Sequence, residues 1–198
     1  MNVTSYRAIF FVVTIGIALV VASPLISLLI PQRDSEFFSE LWLLGPDHKA
    51  EGYPFNVVAG TDYTVFVGVG NQMGSTEYYL VYVNLCNNTG YSPADNDSEP
   101  ISCEHIYTYN IFIDNGKTWE QSVTFRFEDV LVAEQDLTVR HFVINDTAFP
   151  VEVSTLLNSN NEGFFELSFE LWRYDVVSDS FRFDDREVSL SLKMNSSL

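Results

Sequence analysis

Two cysteines, three histidines and two short acidic runs are the side chains of this 198-residue chain best equipped for chemistry. Cys86 and Cys103 flank NNTGYSPADNDSEPIS, a polar stretch that reads as a long loop between strands. A bridge would close that loop and is favoured in an oxidising compartment. The other reading is a pair of buried free thiols. Neither cysteine has a CxxC neighbour, and two cysteines alone cannot complete a cysteine zinc site. His48, His105 and His141 are scattered, and none has a metal-ligating partner at i+2 or i+4. A catalytic triad would need one of them beside a nucleophile and a carboxylate. No G-x-S-x-G, P-loop or H-E-x-x-H motif occurs. Asp95, Asp97 and Glu99 alternate inside the cysteine loop. They could converge on a hard cation such as Ca²⁺, which takes roughly six to eight oxygen ligands. The EF-hand spacing is absent, and a solvated loop is the plainer reading. Asp184, Asp185 and Glu187 form a second cluster, expected between strands, where it would cap a turn or repel an edge-on partner. No catalytic residue, metal site or cofactor follows from these groups.

Aromatic residues offer a different chemistry. Trp42, Trp119 and Trp172, with the tyrosine-rich run at 78–82, could form a sugar-stacking platform or a protein contact. Equally they could be core, or aromatic cover for a sheet. Sequons for N-glycosylation begin at Asn87, Asn96, Asn145 and Asn195, each expected in a polar turn or tail that could accommodate a glycan. Asn2 also fits the pattern but precedes the apolar segment described next.

The elements that must position these residues begin with that segment. Ala8–Ile30 reads AIFFVVTIGIALVVASPLISLLI, 23 residues without a formal charge. Such a run is long enough to cross roughly 30 Å of hydrocarbon as a helix. Pro24 would kink it, and Pro31 would end it. The rival is a cleaved signal peptide with Val20 and Ala22 before the cut, which would leave Leu25–Ile30 as an apolar tail. Arg7 precedes the helix and Arg33 follows it, so the positive-inside rule is nearly tied. The cysteines and sequons argue for a domain outside the cytoplasm. The expected organisation is a cytoplasmic stub at 1–7, a transmembrane helix at 8–30 and an extracytoplasmic domain at 34–198.

Beyond residue 33 the chain holds 8 basic and 27 acidic residues, a net of −19. That field repels nucleic acid and anionic headgroups. No long amphipathic helix pattern appears there. Short alternating runs recur instead, bounded by turn signals such as Asp114-Asn115-Gly116. Val65, Val67 and Val69 point one way on the clearest strand, and Val123, Phe125 and Phe127 share a face on another. Further strands are expected at 37–44, 56–58, 77–85, 105–113, 136–144, 150–156, 164–174, 178–183 and 187–193. This spacing predicts a mainly β, antiparallel two-sheet sandwich preceded by one transmembrane helix.

Residues 37–71, FFSELWLLGPDHKAEGYPFNVVAGTDYTVFVGVGN, resemble the core of the archaeal membrane-protein family known as DUF1616, a domain of unknown function. The shared features are the LGP–KAE–YP stretch at Leu44–Pro54 and a strand ending at Gly68–Asn71. GKTWEQSVTF at Gly116–Phe125 and the ELWRYD segment ending at Asp175 extend the likeness. The resemblance implies an archaeal envelope protein with an immunoglobulin-like exterior domain. It transfers no catalytic residues. Many relatives resemble multi-span proteins, whereas this chain shows one span.

The function expected is a non-catalytic, membrane-anchored envelope module that binds or supports another surface protein, or associates with itself. A glycan-binding module is the alternative, which an exposed row of aromatics would favour. An envelope hydrolase is a distant third, which a cleft with histidine beside carboxylates would revive.

Overall fold

A computed structural model describes residues 6–7, 9–18, 20, 37–88 and 102–196. The chain divides into two units, Met1–Glu36 and Phe37–Leu198. In the first, residues 6–7, 9–18 and 20 are helical, and the rest of the expected 8–30 span lies outside the described residues. Among the described residues no helix is long and apolar enough to cross a membrane.

Among the described residues the second unit contains ten strands: β1 (Ser39–Leu44), β2 (Asn56–Val57), β3 (Tyr63–Asn71), β4 (Glu77–Asn87), β5 (Cys103–Ile113), β6 (Lys117–Ala133), β7 (Asp136–Ile144), β8 (Thr147–Leu156), β9 (Glu162–Asp175) and β10 (Ser180–Asn195). They form two five-stranded sheets, ordered β1-β3-β6-β7-β8 and β2-β10-β9-β4-β5. All pairs are antiparallel except the two-residue β2, which runs parallel to β10.

Period-two alternation builds the core. Val65, Val67, Val69, Val123, Phe125 and Phe127 are fully buried from the first sheet. Tyr79, Val81, Val83, Leu85 and Phe165, Leu167, Phe169, Leu171 meet them from the second. Each such side chain contributes about 1.5–3 kcal/mol relative to exposure. On β7 the inward set changes from Leu137 and Val139 to Phe142 and Ile144. The β7–β8 register slips between Val139 and His141, which accounts for the change of parity.

One expectation about the last strands is corrected. The runs at 178–183 and 187–193 are a single strand, β10, whose pairing with β9 skips Asp184 and Asp185. Because two residues are inserted, Phe183 and Glu187 keep the same outward face on either side. Asp184, Asp185 and Glu187 therefore lie within a strand and not between strands.

Both long sides of the sandwich are closed. On one, Arg186 Nε donates to the Ser39 carbonyl across β10 and β1 (3.2 Å). On the other, the β7–β8 hairpin folds toward β5: Phe149 packs edge-on to Tyr107, Asn145 Nδ2 donates to the Tyr109 hydroxyl, and the Glu152 amide donates to Glu104. Pro150 removes one further donor from β8.

Candidate binding face

The sequence-singled residues sort into three places. Cys86 and Cys103 are bridged, opposite each other on β4 and β5. The acidic run Asp95, Asp97, Glu99 and the sequon at Asn96 lie outside the described residues. Asn87 does not sit in a polar turn: it is buried in β4, where its side-chain oxygen accepts the Ser102 amide (2.7 Å). Asn145 is exposed at the tip of the β7–β8 hairpin. Asn195 is exposed at the last position of β10, a strand end and not a free tail.

A second place is the outer face of the first sheet. Trp42, Gly68 and Glu120 stand opposite one another across β1, β3 and β6. The indole of Trp42 lies on Gly68 so closely that an added Cβ there would come within 2.1 Å of it. Trp42 Nε1 donates to Glu120 (3.4 Å), whose other oxygen meets His48 Nδ1 (3.0 Å). His48 stacks on Phe66 at 3.7 Å. Gly45 approaches the Glu51 carbonyl where no side chain would fit, and Tyr53 donates to the Leu43 carbonyl (2.7 Å). These contacts fold the Gly45–Pro54 crossover onto the sheet. The LGP–KAE–YP stretch is a clasp, with a groove of about 400 Å³ beside it lined by Pro46, Gly52, Pro54 and Asp62–Thr64. Asp62 is already paired with Arg126. The third histidine, His141, lies 3.3 Å from Asp129 at the β6–β7 irregularity. Among the described residues no His, Cys, Asp and Glu side chains gather in a group able to hold a metal ion.

The third place is the outer face of β10-β9-β4-β5. Strand pairing sets Phe181 opposite Tyr174, Tyr78 opposite Phe112, and the β4–β9 register brings the two pairs into line. Four aromatics thus cross four strands in one row. Tyr78 and Phe112 are stacked at 4.2 Å and 8°, while Phe181 meets Tyr78 edge-on at 4.9 Å and 72°. One step along, Phe183 and Trp172 pair, and Tyr82 lies 5.4 Å from Trp172. Phe112 is 74% exposed and Phe183 42%. The Val176–Val177 turn beyond Tyr174 is almost fully exposed. On the opposite parity of the same strands, beside buried Tyr79, Arg173 and Arg182 line a groove of about 340 Å³ with Phe183 and three aspartates. There Arg173 bonds Asp184 (3.2 Å) and Arg182 bonds Asp175 (2.9 Å).

Beside the rings runs a polar chain. Trp172 Nε1 and Asn84 Nδ2 donate to the two oxygens of Glu170, at 3.0 and 3.1 Å. His105 Nδ1 meets Asn84 Oδ1 at 3.1 Å, and its Nε2 meets the Thr108 hydroxyl at 2.9 Å. A carboxylate only accepts, so the Asn84 amide turns its nitrogen to Glu170 and its oxygen to His105. His105 then carries its proton on Nδ1 when neutral, and Nε2 accepts from Thr108. A hydroxyl, an imidazole and an orienting acceptor have the order of a nucleophilic triad. The surroundings do not suit that chemistry. Thr108 sits within β5, two residues from a bulge at Ile106, and His105 is exposed on an open sheet face. Acyl transfer relies on a water-excluded site with donors aimed at the oxyanion. What the chain does here is hold Trp172 and Asn84 in fixed orientations beside the aromatic row.

Glu166, Glu170 and Glu187 also point outward on this face, from β9 and β10, and none makes an ion pair among the described residues. Partial burial, followed by repulsion from Glu170 and Glu166, raises the Glu187 carboxyl above the usual carboxylate range.

Composition revealed the rings of Trp172 and Tyr78–Tyr82. Phe112, Tyr174, Phe181, Phe183, Asn84 and Glu170 carry no such signal in the sequence, where His105 stands only as one of three scattered histidines. The β9–β10 and β4–β5 pairings make two halves of the face, and the pairing of β4 with β9, some 90 residues apart in the chain as in Tyr82 with Glu170, joins them.

Against known proteins, the model of the family described as "Domain of unknown function (DUF1616)" matches residues 31–141. No curated protein sequence matches the chain. Among solved structures, a β-glucosidase from Listeria innocua in complex with glucose aligns at TM-score 0.39 and 9% identity, covering 81% of this chain and 16% of that one. Spo0M, a sporulation control protein from Bacillus subtilis, aligns at TM-score 0.27 and 10% identity, covering 79% of this chain and 90% of that one. Both likenesses are too low to bear on function.

Proposed function

Because this chain belongs to the DUF1616 family, described only as a domain of unknown function, we propose from its own geometry that it is a non-catalytic, membrane-anchored module of an archaeal cell envelope, docking another surface protein on the outer β10-β9-β4-β5 face. Ala8–Ile30 supplies the anchor in this reading, with residues 34–198 outside the cytoplasm. The Cys86–Cys103 bridge favours an oxidising compartment. The strand order supports an immunoglobulin-like scaffold, with β1, β3 and β6 as strands A, B and E facing β10, β9 and β4 as G, F and C. The β7–β8 hairpin is then an addition at the edge.

The observation that carries the docking reading is the row Phe181–Tyr174–Tyr78–Phe112. Partly exposed aromatics gathered in one patch are the composition of interface centres, and large apolar patches on a surface mark interaction sites. Contact through the face is better supported than strand addition, because the sides are closed and Pro150 interrupts the β8 edge.

A glycan-binding module is the second reading, favoured by the same row and by the polar groups of Asn84 and Glu170 beside it. Sugar stacking uses ring faces turned to solvent. Here Tyr78 and Phe112 stack on each other at 8° and Phe181 meets Tyr78 edge-on at 72°, so these rings spend contact area on one another. A hydrolase is least supported, since the triad-like chain found among the described residues lies on an open face.

The test is photocross-linking in intact cells, with benzoylphenylalanine at position 112 and, as control, at position 118 on the other sheet. A discrete protein adduct from position 112 alone is the expected result. No adduct, together with glycan-array binding that Trp172→Ala abolishes, would replace docking by sugar recognition.

A further inference from the structure

We propose that the partner segment seated on this face is basic: it carries arginine or lysine side chains that lie over Trp172 and Tyr82 and pair with Glu166 and Glu187. This rests on the docking reading above and names the chemistry of its partner. Three observations on the face converge. Its rings offer π-faces and edges within a few residues of carboxylates, the combination that holds guanidinium groups by cation–π attraction and charge pairing together. Its carboxylates lack cations: Glu166, Glu170 and Glu187 form no ion pair among the described residues, whereas Glu162 on the same strand, at the far end, is held by Lys193 at 2.8 Å. Its polar chain is preorganised, since Glu170 is fixed by Trp172 and Asn84 before any ligand arrives.

The same charges argue against other occupants. A second copy of this chain would set two groups of unpaired glutamates against each other, in a domain of net charge −19. Acidic glycans and anionic headgroups would be repelled for the same reason. A cationic segment relieves the crowding of Glu187 by Glu170 and Glu166. It also covers the exposed rings with the apolar stems of its own long side chains.

The experiment uses the full chain in nanodiscs of neutral phosphatidylcholine, with empty nanodiscs as blank. The probe is a fluorescent dodecapeptide of alternating arginine and leucine, compared by anisotropy with the same peptide carrying neutral citrulline for arginine. The expected result is tighter binding of the arginine peptide, weakened about tenfold by the double variant Glu166→Gln/Glu187→Gln and by added salt. The double variant Glu40→Gln/Glu134→Gln, which removes the same charge elsewhere, should leave binding unchanged. Equal loss in both double variants, or equal binding of the two peptides, would overturn the proposal. Trp172→Ala, with folding checked by thermal unfolding, should also weaken the arginine peptide and spare the control. The cross-link at position 112 separates the two levels of inference. A partner protein captured through a segment without arginine or lysine leaves docking standing and removes the basic partner.

Discussion

Asn71 is fully buried at the end of β3, and its amide spans the two sheets. Nδ2 donates to the carbonyls of Ser75 (2.8 Å) and Ile113 (2.7 Å), and Oδ1 accepts the Met73 amide (2.9 Å). Asn71→Ala would leave these backbone groups without partners in a dry site, so a loss of about 2–4 kcal/mol in urea unfolding is expected. Asn71 is the residue that ends the strand resembling the family pattern at Gly68–Asn71, and its role is structural. Thr155 is the opposite case. Its hydroxyl is buried against the core with no hydrogen-bond partner. Thr155→Val keeps the shape and removes the stranded group, and a gain of about 1–2 kcal/mol is expected in the same assay. A loss would mean the hydroxyl is satisfied after all. Glu187 makes a pH signature. Its raised carboxyl pKa means the native state holds that proton more tightly than the unfolded chain does. Its ionised form therefore disfavours folding above the native pKa, and the penalty disappears as pH falls below the ordinary carboxylate range. Glu187→Gln should raise stability at neutral pH, with the gain vanishing in acid, as thermal unfolding across pH 3–8 would report.

Most of the strands were legible because burial on one face imposes period two. Val65–Val69, Val123–Phe127 and Tyr79–Val83 sit inward as their alternation requires. The breaks came where the backbone departs from simple alternation. The two-residue insertion at Asp184–Asp185 looked like a turn because paired acidic residues usually are one, and Asp185 does adopt a positive φ of 52°. Glu51–Pro54 reads in the sequence as a crossover into the sandwich, since Gly52 allows close backbone approach and Pro54 stiffens the turn, but the attachment of this clasp through Tyr53 and His48 is long-range. The binding face was legible only in Trp172 and the tyrosines of 78–82. Its remaining rings come from β5, β9 and β10, and no local pattern reports which strands lie side by side. Element geometry also ranks the sequons. Asn195 is exposed, Asn145 is exposed with its amide bonded to Tyr109 and Thr124, and the Asn87 side chain is buried and bonded to Ser102. Peptide mapping of protein from its native membrane should find glycan at Asn195 or Asn145 and an unmodified Asn87. A glycan at Asn87 would require β4 to end before the bridge.

At the scale of the whole molecule, a domain of net charge −19 at 34–198 carries an outward aromatic face with carboxylates unpaired among the described residues, joined by three residues to a 23-residue apolar segment. Charge keeps such a domain soluble and discourages it from pairing with itself. The aromatic face supplies the burial that a specific contact needs. The account therefore joins a location to a surface, and one labelling experiment addresses both. Phe112→Cys and Thr118→Cys variants would be exposed, in intact cells, to a membrane-impermeant maleimide, with rates normalised to the same variants purified. Both positions should react without lysis, and position 112 should react more slowly in cells than position 118, because a partner covers it. Reaction only after lysis would contradict the extracytoplasmic placement, and equal normalised rates would contradict an occupied binding face.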